Sequence, residues 1–147
     1  MEPGDVVGVL NDLIETSLDG EAGFRTCAAN AARLDLRRLF EEKAARCKEG
    51  AAELQALVRR LGGDPEHDTS GSGAAHRFWL NVRARIGGRN DHAILEECER
   101  GEDAARQVYE NALRQDLPPD IRDVVERQYR EVAANHERVK ALRNQTA

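Results

Sequence analysis

Apolar residues recur along most of this chain at alternating steps of three and four, the spacing of helices that each bury one face. In the first such segment, from Pro3 to about Arg33, the seam reads Leu10, Ile14, Ser17, Glu21, Phe24, Ala28 and Ala31. Pro3 suits a first helical turn, where its missing N–H leaves no bond unmade. A second segment, from about Asp35 to Leu61, carries Leu36, Phe40, Ala44, Cys47, Ala51, Leu54, Val58 and Leu61. Asp35 reads as its N-cap, and Gly62-Gly63 followed by Pro65 as its stop. A third helix is expected from Asn90 or Asp91, with the seam Leu95, Cys98, Glu102, Ala105, Tyr109 and Ala112. Asp116-Leu117-Pro118-Pro119 breaks it, and a fourth runs to about Arg143 through Ile121, Val125, Gln128, Val132, Asn135 or His136, Val139 and Leu142.

The connections decide the architecture. Two are short, but residues 62–90 contain a Gly/Ser-rich loop and a short helical stretch, Ala74 to Ile86, with Phe78 and Trp79. An excursion of that length suits a chain crossing from one end of a bundle to the other. The expectation is all-α: a ferritin-like four-helix bundle of two antiparallel hairpins joined by a crossover, forming a single domain over residues 1–147.

Composition agrees and narrows the function. The chain has 22 basic and 27 acidic residues, a net charge of −5, so a nucleic-acid backbone is an unfavourable partner. No apolar run approaches the roughly 18–20 residues of a membrane span. The start, Met1-Glu2-Pro3-Gly4-Asp5, lacks the charged and apolar regions of a signal peptide, so a cytoplasmic location is expected. The three cysteines, Cys27, Cys47 and Cys98, are odd in number and form no C-x-x-C pair, which points to buried free thiols.

Two carboxylates interrupt the seams. Folding each hairpin about its turn puts Glu21 opposite Cys47, and Glu102 between Val132 and Asn135/His136. Both lie near the middles of their helices, so they are candidates for one central polar layer. A buried carboxylate needs a metal, a cationic side chain, a proton or exposure through an irregularity of the bundle. Di-iron bundles supply a single Glu from each of two helices and a Glu-x-x-His pair from each of the others. Here the residues three before His67, His76, His92 and His136 are Asp64, Gly73, Arg89 and Ala133, so both pairs are missing. A degenerate site for iron or manganese would use Glu21 and Glu102, completed by His136 or Glu49. The competing reading has the carboxylates held by Gln128, Tyr109, Tyr129 or Ser17, or bridged to an arginine. No catalytic residue is assigned and no cofactor is expected.

The second helix, Phe40-Glu41-Glu42-Lys43-Ala44 through Leu61-Gly62-Gly63, resembles that of rubrerythrin-type ferritin-like proteins. That resemblance puts Cys47 and Gly50 at the metal-ligand positions and keeps the single glutamates, Glu21 and Glu102. A closer resemblance covers nearly the whole chain. Its motifs are Leu10-Asn11-Asp12-Leu13-Ile14-Glu15, Asp19-Gly20-Glu21, Glu53-Leu54-Gln55, Arg77-Phe78-Trp79, Ile94-Leu95-Glu96, Glu99-Arg100-Gly101-Glu102-Asp103, Leu117-Pro118 and Asn135-His136-Glu137-Arg138-Val139. They resemble the bacterial four-helix-bundle family known as domain of unknown function 2383. The resemblance implies a ferritin-like fold and no established activity. The resulting expectation is a non-enzymatic structural, stress-associated or interaction protein that forms a homo-oligomer, a dimer, with Phe78 and Trp79 as a possible partner surface.

Overall fold

The computed structural model describes residues 2–67 and 90–146. Among these, four helices form: α1 (Pro3–Asn30), α2 (Leu34–Arg60), α3 (Asp91–Leu113) and α4 (Pro119–Thr146). None of them is long and apolar enough to cross a membrane. The short helix expected from Ala74 to Ile86 lies outside the described residues.

The helix ends follow local chemistry. Pro3 stands in the first turn of α1. Asn90 caps α3, its side chain accepting from the backbone N–H groups of His92 and Ala93. At the end of α2, Gly62 adopts φ +80°, and Gly63 N–H donates to Val58 O, closing the helix as a glycine stop. Asp35, however, does not cap α2. The cap residue is Arg33, and the Asp35 carboxylate pairs with its guanidinium instead. The free N–H groups of Ala32 and Arg33 donate to the carboxylate of Asp91 at the start of α3. A residue distant in sequence thus takes the role expected of a local one.

Side-chain bridges fix the helix order around the bundle. Gly20 faces Cys47 and Val7 faces Gly63, so α1 and α2 are antiparallel. Tyr109 meets Gln128 and His92 meets Arg143, so α3 and α4 are antiparallel. Asp91 beside Ala32 makes α1 antiparallel to α3. Arg60 with Asp120 and Gln128 with Gly50 make α2 antiparallel to α4. It follows that α2 and α3 are parallel and diagonal. α2 ends at the opposite end of the bundle from where α3 begins, about 35 Å away for a 23-residue helix. The connection over residues 61–90 therefore links opposite ends, as in bundles with one long crossover.

The buried apolar residues fall into two clusters rather than one. One holds Phe24, Cys27, Leu36, Phe40, Ile94, Leu95, Cys98 and Val139. The other holds Val6, Leu10, Ile14, Leu54, Val58, Tyr109, Ile121 and Val125. What separates them, halfway along the helices, is the polar layer.

Candidate functional site

In the central layer α1 contributes Ser17 and Gly20, α2 Lys43, Cys47 and Gly50, α3 Glu102 and Tyr109, and α4 Gln128. Its centre is an ion pair. Lys43 Nζ lies 3.0 Å from Glu102 Oε1, and the two side chains are only 4% and 5% exposed. The pair spans the diagonal between α2 and α3, a distance that a long lysine stem can bridge. The ammonium also sits 5.5 Å from the centroid of the Phe24 ring, and Cys98 Sγ donates to Glu102 Oε1 at 3.4 Å. Burial raises the Glu102 carboxyl above its usual range, and Lys43 pulls it partly back. The second oxygen, Glu102 Oε2, is buried without a hydrogen-bond partner among the described residues.

Lys43 is thus the cationic side chain that neutralises Glu102, where the sequence named an arginine as the bridging cation. A signal was present. Leu36, Leu39, Lys43, Cys47, Gly50, Leu54 and Leu57 step along α2 by three and four, a second inward stripe beside the first. Lys43 falls inside it.

Glu21 and Glu102 do not share the layer as equals. Glu21 pairs with Arg25 one turn along α1 at 2.8 Å, and Arg25 is 56% exposed. The inward position in that turn belongs to Gly20, where an added Cβ would stand 3.1 Å from Cys47 Sγ. One residue of rotation, about 100°, carries Glu21 toward the surface. His136, rather than Asn135, is the buried member of its turn. Its Nε2 faces Asp103 Oδ1 at 3.3 Å and Glu99 Oε1 at 3.9 Å. Glu99 in turn binds Arg143 at 2.6 Å. Glu49 is exposed on α2. The three proposed ligands therefore have separate partners: Arg25 for Glu21, Lys43 for Glu102, and Asp103 with Glu99 for His136. An ammonium 3.0 Å from the Glu102 carboxylate occupies the electrostatic role of a metal there and opposes its approach. Among the described residues no group of three His, Cys, Asp or Glu side chains is arranged to hold a metal ion. The donor set does not fit the di-iron template. Phe78 and Trp79 lie outside the described residues.

The neighbouring polar groups are well connected. Tyr109 Oη donates to Gln128 Oε1 at 2.8 Å, and Gln128 Nε2 donates to Glu53 Oε1 at 2.8 Å and toward Gly50 O at 3.3 Å. Arg127 closes on the same Glu53 carboxylate. The thiols are insulated. Burial pushes Cys27 and Cys47 up to about 12 and Cys98 well above the usual thiol range, so all three stay protonated near neutral pH. Beside the Lys43–Glu102 pair lies a cavity of about 80 Å³.

No curated protein matches the chain. Residues 5–115, well over half of its length, match the family described as Domain of unknown function (DUF2383). The chain, an all-α four-helix bundle with a Lys–Glu pair at its centre, belongs to the DUF2383 family.

Proposed function

We propose that this protein is a non-enzymatic bundle that acts as a structural, stress-associated or interaction protein. The Lys43–Glu102 pair carries the reading. In a bundle that performs metal chemistry, the central layer presents carboxylates and imidazoles to open coordination positions. Here the buried carboxylate is neutralised by an internal ammonium 3.0 Å away. A second chemistry that such a layer can carry is thiol chemistry, and it requires a thiolate. Cys27 and Cys47 are held near 12 by burial, which leaves a negligible thiolate fraction at neutral pH. The Glu-x-x-His pairs absent from the sequence support the same reading.

The test is aerobic iron loading of the purified full-length protein, followed by metal content and oxygen consumption. The proposal expects no stoichiometric iron after desalting and no oxygen uptake above a buffer control. Tightly bound iron at one or two equivalents, with oxygen consumption lost in Glu102→Ala, would overturn it.

A further inference from the structure

We infer that the central cavity is a binding site for a small uncharged molecule of the amide or urea class. Three observations on the cavity point there together. Two of its walls are charged side chains with unused hydrogen-bonding capacity: among the described residues Glu102 Oε2 has no partner, and Lys43 Nζ has the Glu102 ion pair and the Phe24 ring. Both side chains are more than nine-tenths buried and line the cavity. An amide supplies what the pair lacks. Its carbonyl accepts from the ammonium, and its N–H, on the neighbouring atom, donates to Glu102 Oε2.

Charge selects the same class. Lys43 and Glu102 already cancel, and the other charged side chains lining the cavity, Arg46 and Glu131, also carry one charge of each sign. An anion would meet the Glu102 carboxylate, and a cation the Lys43 ammonium, with no spare counter-charge for either. Size sets an upper bound. The cavity is about 80 Å³, roughly half of one known to hold benzene, so it takes about three or four non-hydrogen atoms.

The cavity adjoins a second depression. A wider, polar depression on the surface between α2 and α4 shares Arg46, Gly50, Gln128 and Glu131 with the cavity wall. Gly50 presents no side chain there, and an added Cβ would rest 3.6 Å from Gln128. The Gln128 side chain, held by Tyr109, Glu53 and Gly50, is part of the wall that the two share.

The experiment is a titration of the full-length protein with acetamide, followed by backbone amide NMR shifts and by calorimetry. Saturable one-to-one binding is expected, with a Kd on the order of 10⁻⁴ M, because four atoms at the ligand-efficiency ceiling reach no tighter than about 10⁻⁵ M. The shifts should centre on Gly20, Gly50, Gly101 and Ala105. The double variant Lys43→Met/Glu102→Leu, which keeps an uncharged, filled layer, should weaken binding at least tenfold. Absence of saturable binding to the unmodified protein would overturn the inference, whatever the variant does. So would equal affinity in the double variant, or xenon occupying the cavity while acetamide does not, since that outcome marks a dry apolar void.

Discussion

Replacing Lys43 by methionine removes the ammonium while keeping an unbranched stem of similar length in the centre of the bundle. Glu102 is then left buried with only the Cys98 thiol as a donor. At 3.0 Å and an effective dielectric of about 20, the lost attraction is about 5–6 kcal/mol. Relaxation and protonation of Glu102 reduce that figure, and removing one partner of a buried pair costs about 3–5 kcal/mol in practice. For a chain of this size the loss lowers Tm by about 10–15 °C. The penalty depends on pH, with a definite sign. Burial already raises Glu102 above 4.5, and Lys43 opposes the rise. Without Lys43 the folded-state value moves further up. Between the unfolded and folded values the folded protein holds a proton that the unfolded chain has released, so stability falls as pH rises. The penalty is therefore smallest below about pH 4.5 and fully developed above the raised folded value. Urea unfolding followed by circular dichroism at pH 4.5 and pH 8 measures it, alongside Glu102→Leu and the double variant. The double variant should recover most of the loss, because two apolar side chains replace two desolvated charges. A Lys43→Met penalty under 1 kcal/mol at pH 8, or a double variant as unstable as the two singles summed, would refute the reasoning.

Glu21→Ala should cost only about 0.2–0.5 kcal/mol in the same urea assay, since its partner Arg25 is half in water; a loss above 2 kcal/mol would place Glu21 in the buried layer. Cys27 and Cys98 should resist Ellman's reagent at pH 7.5 on the time scale of minutes and react at a rate that rises with urea; rapid stoichiometric labelling of the native protein would contradict their burial. Asp91→Ala should lose about 1–2 kcal/mol by leaving the Ala32 and Arg33 N–H groups without their acceptor, and hydrogen exchange should accelerate at those two amides. Gly63→Ala should destabilise by about 1–3 kcal/mol, because the new Cβ would fall 2.8 Å from Val7 Cγ2 and 3.1 Å from Val58 Cγ1. A Gly63→Ala protein as stable as the parent would mean that Val7 can turn away.

The seams of α2, α3 and α4 were legible because a 3.6-residue period repeats over 23 to 28 residues, long enough to average out exceptions. Glycine at φ +80° and the Asn90 cap were legible because each acts within one turn. Asp35 was misplaced because the acceptor for that corner comes from Asp91, across the bundle. Glu21 and Gly20 are adjacent on α1, and a seam alternating threes and fours accommodates either one. The choice between them depends on where α2 places Cys47.

The sequence by itself determined an all-helical chain, its helix stops, the long link between its two hairpins, and the presence of a carboxylate where apolar residues surround it. Those features rest on interactions within a few residues or on periodicity, both of which are written in one dimension. Only the tertiary structure decided what meets Glu102. Lys43 lies 59 positions away on the diagonal helix, and its partner is set by the packing of four helices around one axis. The same packing separates Glu21 and His136 from that centre and leaves the cavity beside it, because a side chain's neighbours across a bundle depend on rotation and height together.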